Sequence, residues 1–433
     1  MVNLPVEVDR SRMSWPVLDW AMGADSVNGG WAAADRRDAH VNNLRIDADI
    51  AGLTNDAVTA ALRTLIQRHP TLRTRYQWDG VRGSQILHAA PEADLIRSLT
   101  SDSARDHSFD LDRELPFIIE RSRSVDGAPH LRLVVDHIAT DRRGAEVLQA
   151  DLIALLQRRS LPAETGFSPA ELAHWEASPD GIEWQNARER GWCTHLTTAL
   201  RRHETDRASR LGPTPRQSST SLQEQVLWCR SIGGALSHGA SRLRTFESAI
   251  VLAAIAAGHR HVLDQRVFVA QVLSVNRWSR RGRSSSAKFF MQGPVILENL
   301  GAQRPVPDDL RKVHEVLIHA MQLAYADPLR IDQLVDELGS RQVPGIQGVY
   351  YNYVLADPSR ALAPDSDSRL TWIEHRGEAG YGPGLVYDVW RAGDTLRISL
   401  RHDPGSIQPA DVTAILDSVP RFISQVTSGS TPA

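Results

Sequence analysis

The sequence predicts an α/β protein, and three observations carry that expectation. Short apolar runs with a β-branched or aromatic bias recur along the chain, as at Leu131–Val135, Val267–Leu273 and Gly348–Tyr353. Between them lie longer stretches whose apolar residues return at helical spacing, such as Val58, Leu62, Leu65 and Ile66, then Ala145, Leu148, Leu152 and Leu155. The composition is that of an ordinary globular chain, 42% hydrophobic and 23% charged over 433 residues. That length suits roughly two to three domain-sized units.

Charge and cysteine usage narrow the function classes. Lys and Arg number 49 against 52 Asp and Glu, for a net charge of −3, without the basic excess of a nucleic-acid binder. The opening MVNLPVEVDRSRMSW has no apolar core after a basic start, so no signal peptide is expected. The most apolar run, Ala249–Ala257, is about half the length of a membrane span. Cys193 and Cys229 fit neither a zinc spacing nor a disulfide framework. We therefore expect a cytoplasmic protein with no nucleic-acid or membrane partner and no metal.

Taken in order, the chain opens with a polar, mixed segment in which Trp15 and Trp20 are docking aromatics. A weakly alternating stretch, Val41–Ile46, suits a strand, and a helix follows over Asn55–Gln67, ended by Arg68-His69-Pro70. Gln77–His88 reads as a hairpin around Asp79-Gly80, and Ile118–Arg121 as a strand. Pro162–Pro169 is punctuated as a loop and is the candidate boundary between halves. Phe167–Leu200, with Trp175, Trp184 and Trp192, looks helical, and Thr205–Ser221 reads as a flexible loop. Leu243–Gly258 is a helix that is apolar or small nearly all round and should be buried. The run RRGRSSSAK, Arg280–Lys288, reads as a solvated basic loop. Val306–Tyr325 and Ala410–Val426 read as amphipathic helices. Val386–Trp390 with Leu396–His402 forms a hairpin, and the glycines of Gly377–Gly384 form a turn rather than a dinucleotide fingerprint.

The stretch LRLVVDHIATDRRGAEVLQAD, Leu131–Asp151, organises the rest. A buried strand gives way at Asp136-His137 to a polar turn, and a helix resumes after Asp141. Side chains on such a turn are held rigidly by the elements on either side. His137 is the natural proton-handling group there.

DHIATDR resembles the HHxxxDG motif of the condensation domains of nonribosomal peptide synthetases, and more loosely the HxxxD of the chloramphenicol-acetyltransferase-like superfamily. RHPTLRTRY, with Gln85 downstream, is similar to the family's RHPxLRTxF…Q signature. Ser108-Phe109-Asp110-Leu111 with Pro116 matches its "FDL…P" segment, and Trp192, Leu196 and Leu200 match its linking helix. Ser274-Val275-Asn276-Arg277 resembles the strand-end block that carries the family's arginine, and Gly348–Tyr353 resembles its "v-x-F-N-Y" strand, with Asn352 at the amide. The matches run from about residue 35 to 427 in family order.

That resemblance implies two chloramphenicol-acetyltransferase-like subdomains, residues 1–165 and 166–433, forming a V-shaped pseudo-dimer with the active site in a tunnel between them. No adenylation or carrier segment flanks the similarity, so a free-standing condensation-like protein is implied. Its substrate would be an acyl or aminoacyl thioester on the phosphopantetheine of an acyl or peptidyl carrier protein, passed to an amine or hydroxyl on a small molecule or a second carrier, with no tightly bound cofactor. His137 falls at the catalytic position, and Asp141 would pair with Arg277 to brace the loop. Asp136 stands where the family has its first His. Arg142 stands where it has Gly, and would line the tunnel mouth or read an anionic group; Asn352 would also line the substrate path. Two alternatives are a non-catalytic recruitment domain for carrier proteins or tailoring enzymes, and a coenzyme A-dependent acyltransferase.

Overall fold

The computed structural model describes residues 5–28, 43–90, 100–101, 107–123, 127–163, 165–205, 221–298, 300, 307–343, 345–346, 348–356, 370–376 and 384–427. The chain divides into two compact units, Met1–Asn186 with Val275–Met291, and Ala187–Ser274 with Gln292–Ala433. The boundary expected at 165/166 falls inside the first of these. A chain-order reading places one cut, whereas here a later segment of 17 residues rejoins the earlier unit.

The first unit opens with strand β1 (Glu7–Arg12) and helix α1 (Trp15–Asn28), the latter not anticipated from its mixed composition. Then come β2 (Leu44–Asp49) and α2 (Asn55–Arg68), whose N-cap Thr54 accepts from the Ala57 N–H. Pro70 stops α2, and Pro70–Arg73 makes one 3-10 turn. The hairpin β3 (Thr74–Gln77) and β4 (Ser84–His88) turns where Asp79 Oδ1 accepts the N–H groups of Val81, Arg82 and Gly83. After β5 (Thr100–Ser101) come β6 (Phe117–Arg123) and β7 (Pro129–Val135), then α3 (Arg142–Leu156) and α4 (Pro169–Glu176). The strands form two sheets, in the orders β1-β4-β3 and β2-β7-β6-β5.

Register explains why the second sheet has one dry face. Ile46 pairs with Leu133 and Leu133 with Ile119, while Val135 stands between Leu44 and Phe117. Because side chains alternate along a strand, the pairing stacks these apolar residues on one face, and Ile46, Leu133, Val135, Phe117 and Ile119 are all at most 1% exposed. α2 and α3 pack together and present Leu62, Leu65, Leu148 and Leu152 as buried positions. Trp15, Trp175 and Trp184 form an edge-on ladder, with centroids 6.2 and 5.8 Å apart.

Helix α5 (Pro179–Thr205) contains the division between units. The second unit continues with β8 (Ser221–Cys229), α6 (Gly233–Leu243), α7 (Glu247–Leu263) and β9 (Val267–Ser274). It ends with β10 (Met291–Glu298), α8 (Pro307–Leu323), α9 (Pro328–Glu337), β11 (Val349–Leu355), β12 (Leu370–Arg376), β13 (Leu385–Ala392), β14 (Thr395–His402) and α10 (Pro409–Thr427). Its sheet has the order β10-β9-β11-β13-β14-β8-β12, in which β9, β11 and β13 are parallel and β13, β14, β8 and β12 antiparallel.

α7 is the core helix of that unit, with Ala249–His259 buried without interruption and packed on α10. The helix expected over Leu243–Gly258 begins later, at Glu247, because Arg244 takes a left-handed conformation (φ 52°) that ends α6. The loop expected at Thr205–Ser221 and the turn at Gly377–Gly384 lie almost wholly outside the described residues. No described helix is long and apolar enough to cross a membrane. Among the described residues no group of three or more His, Cys, Asp or Glu is placed to hold a metal.

Candidate active site

β7 delivers the candidate site. Its last residue, Val135, is fully buried, and Asp136 then turns the chain out of the sheet. The Asp136 N–H donates to the Pro116 carbonyl at 2.9 Å, while its Oδ1 accepts the Ile138 N–H at 2.8 Å. Asp136 therefore stabilises the backbone of the turn. A second histidine at this place could not hold the turn with a carboxylate oxygen.

His137 is half-buried on that turn. Its Nδ1 lies 2.8 Å from the Thr140 carbonyl oxygen. A carbonyl only accepts, so Nδ1 carries the proton and Nε2 presents a lone pair. Trp20 of α1 lies against the ring, centroids 4.7 Å apart, with Phe290 at 6.2 Å. Burial and then the Lys288 ammonium push the imidazole pKa down from 6.5 to about 4, so His137 is neutral at pH 7.

Asp141 is the N-cap of α3, where Oδ1 accepts the Gly144 N–H at 2.8 Å. The same oxygen accepts from Arg277 Nη2 at 2.7 Å, and Oδ2 accepts the Phe289 N–H at 2.8 Å. Burial alone would raise this carboxyl, but the Arg277 charge and the two backbone donors hold it below its ordinary value.

Arg277 does more than hold Asp141. Nη1 donates to the carbonyls of Gly282 (2.8 Å) and Ser285 (2.5 Å), and Nη2 also donates to that of Ala287 (2.8 Å). The guanidinium also sits 4.9 Å from the Phe289 ring centroid. A two-bond fork on the carboxylate, the usual arrangement for such a pair, is replaced by one bond to Asp141 and three to loop carbonyls. The Val275–Met291 segment is thereby wound around its own arginine. Two glycines admit it: a Cβ on Gly144 would lie 2.4 Å from the Ser286 carbonyl oxygen, and one on Gly166 2.0 Å from Ser285 Cα.

The winding corrects the reading of Arg280–Lys288 as a solvated loop in its second half: Arg280 and Arg283 are exposed, but the chain from Ser285 to Lys288 is buried. Arg280–Arg283 forms one helical turn, Ser285 and Ser286 are buried, and Lys288 is 1% exposed. Lys288 Nζ lies 3.3 Å from both the carbonyl oxygen and Nδ1 of His137. It also stands over the rings of Trp20 (4.5 Å) and Phe290 (5.2 Å). Burial drives its pKa from 10.5 down to about 8. Sequence reasoning missed it because a Lys ending a basic, serine-rich run carries no sign of which way the chain turns.

The other motif residues make contacts of their own. Arg142, at the first position of α3, is half-exposed and donates to Glu146 one helical turn on, at 3.3 Å. Asn352 belongs to the second unit, on β11, where its amide donates to Asp388 Oδ1 at 2.9 Å. His69 bridges Ser286 Oγ (3.0 Å) and Asp151 Oδ2 (2.9 Å), a structural use at the end of α2. Arg73 donates to the His88 carbonyl at 2.5 Å, also structural.

No protein-family model matches the chain. Cyclosporin synthetase of Tolypocladium inflatum is 34% identical over 161 residues, 33% of this chain and 1% of that synthetase. An isonitrile lipopeptide synthase of Mycobacterium tuberculosis (strain ATCC 25618 / H37Rv) is 30% identical over 149 residues, 31% of this chain and 6% of that protein. The chain thus spans a small fraction of these curated relatives. Among solved structures, the condensation domain that mediates chain release from the enacyloxin polyketide synthase has a TM-score of 0.71 at 17% identity, covering 100% of this chain and 85% of that one. The condensation domain of the Monacolin K polyketide synthase gives 0.70 at 13% identity, covering 99% of both chains. The X-domain solved with OxyB from teicoplanin biosynthesis gives 0.66 at 18%, covering 99% of this chain and 96% of that one. The chain has the mixed α/β fold of the condensation domains of peptide and polyketide synthases.

Proposed function

We propose that the protein is a condensation-type acyltransferase of natural-product biosynthesis. It moves an acyl or aminoacyl group from the phosphopantetheine thioester of a carrier protein to an amine or hydroxyl. One observation carries the reading: His137 is neutral, with Nδ1 tied to Thr140 and the Nε2 lone pair left to accept a proton. The nucleophile's N–H or O–H would lie against Nε2 while its lone pair attacks the thioester carbonyl. The new C–N or C–O bond forms, the proton passes to Nε2, and the C–S bond breaks. The same proton then neutralises the departing thiolate. Holding the two partners together supplies most of the rate, since proximity alone contributes roughly 7–11 kcal/mol, and His137 contributes roughly a further 10²–10⁴-fold as proton acceptor.

The test is incubation with acyl-loaded carrier proteins and an amine or alcohol acceptor, followed by intact-mass detection of the unloaded carrier and the acylated product. Transfer by the wild type that His137→Ala loses, with folding retained by circular dichroism, is the expected result. Equal turnover by the two proteins would remove the mechanism.

A second reading, recruitment without catalysis, is favoured by the Asp136 and Arg142 departures from the motif and by the likeness to the X-domain. On that reading carrier proteins bind with equal affinity to wild type and His137→Ala, and no acyl group moves.

A further inference from the structure

Lys288 is the group that His137 chemistry alone does not explain. An ammonium carries three donors. Among the described residues, Nζ meets the His137 carbonyl oxygen and Nδ1, each at 3.3 Å, and otherwise two aromatic faces. The side chain is 1% exposed. A hydrophobic residue of the same length would fill the space between Trp20 and Phe290 without burying a charge. Of these contacts, the His137 imidazole is the titratable one.

We propose that Lys288 is a positioning residue for His137: its ammonium keeps a second proton off the ring and so preserves Nε2 as an acceptor. The geometry makes the case. Nδ1 already carries a proton because it donates to Thr140, so further protonation must occur at Nε2 and create an imidazolium beside the ammonium. Two like charges at this distance oppose one another strongly in a buried setting. Other charged groups act on the pair from the packed elements. Asp141 at the start of α3 favours the charged form of both residues, and Asp19 of α1 and Asp136 after β7 favour that of Lys288. Asp141 is engaged by Arg277 and by two backbone donors, which leaves Lys288 as the dominant charge on the ring.

The inference deepens the acyltransferase reading and rests on it for its purpose, yet its test needs no turnover. Diethyl pyrocarbonate acylates only unprotonated imidazole, so the rate of His137 carbethoxylation against pH, followed by peptide mass mapping, reports the state of Nε2. In the wild type that rate should stay level from pH 7 down to about 5. In Lys288→Met the inflection should move up by on the order of one pH unit, and Lys288→Arg, which keeps the charge, should restore the wild-type profile. An unchanged profile in a folded Lys288→Met protein overturns the proposal. Should Lys288→Met not fold, the wild type decides alone. In ¹⁵N-histidine-labelled protein, with His137→Asn used for assignment, the His137 resonances should inflect near pH 8 as Lys288 loses its proton. Their constancy through that range overturns the proposal as well. Failure to detect acyl transfer would refute the enzymatic reading and leave these outcomes intact.

Discussion

Arg277 and Lys288 stand eleven positions apart on one segment, and both are buried cations, yet their surroundings are opposite. Arg277 donates to one carboxylate and three carbonyls, at 2.5–2.8 Å. Lys288 has one carbonyl at 3.3 Å and otherwise rings. The first cation is held by four short bonds, one of them to a carboxylate, so it holds the fold together; the second has only longer contacts, and burial outweighs the pull of Asp141, Asp19 and Asp136 on its charge. A buried charge stabilises only where bonds and opposite charges offset its lost hydration. The contrast therefore separates a brace from a group retained for what it does to its neighbour.

The largest expected effect breaks the brace. Arg277→Ala leaves Asp141 buried without its cation and three carbonyls without donors, and should lower stability by roughly 3–5 kcal/mol. Asp141→Asn should lose less, since an amide keeps the α3 cap shape, and a double-mutant cycle should show coupling on the order of 1 kcal/mol or more. Chemical denaturation of the four proteins measures both; losses that simply add would mean the carbonyls, rather than Asp141, hold Arg277.

Next in size, and of opposite sign, is Lys288→Met. The Lys288 pKa falls from 10.5 in the unfolded chain to about 8 in the fold. As pH drops through that window the unfolded chain takes up the proton first, so native stability declines and remains lower at pH 7. Removing the ammonium should raise stability at pH 7 by about 1–3 kcal/mol, with the gain shrinking as pH approaches 10. Destabilisation at both pH values would show that Lys288 is a compensated residue like Arg277.

An effect of similar size tests the same neighbourhood from the histidine. The His137 pKa is depressed to about 4, so the unfolded chain binds a proton that the native chain refuses. Stability should then be lost between about pH 6.5 and pH 4, with a slope from His137 that His137→Asn removes in urea melts. A slope unchanged by the substitution would mean the ring is solvated enough to titrate normally.

Smallest of all is Arg142→Gly. Its pair with Glu146 is a partly exposed i,i+4 contact worth roughly 0.3–0.5 kcal/mol, and glycine at the head of the helix loses about as much again. The thermal midpoint should therefore fall by no more than a few degrees. A drop as large as that of Arg277→Ala would place Arg142 in the brace.

These two cations also show what the chain order discloses. The strand-turn-helix of Leu131–Asp151 is legible because its periodicities are local, and the Asp141–Arg277 juxtaposition follows from the motif resemblance. Lys288 is not legible, since its burial depends on carbonyls of Gly282, Ser285 and Ala287 turning inward to meet Arg277. Backbone direction of that kind leaves no mark on side-chain type. Gly144 and Gly166 are its one trace, and a glycine in sequence does not say what approaches it. β8 escaped notice because buried Gln225 and Glu224 interrupt its apolar alternation, and the Gln225 amide N–H donates to Thr413 on α10, far along the chain.

The return of Val275–Met291 to the first unit has a consequence for synthesis. Asp141 leaves the ribosome 136 residues ahead of Arg277. At roughly 5–20 residues per second that is a wait of about 7 to 27 seconds. Through that interval the carboxylate has its α3 cap bond to Gly144 but lacks Arg277 and the Phe289 N–H, and the glycine notches and the space beside Trp20 await the loop. Both sheets of the unit can form early, but its site closes only when the loop arrives. A fragment ending at Asn186 should therefore hold secondary structure without a rigid His137, and supplying residues 275–291 in trans as a peptide should order it.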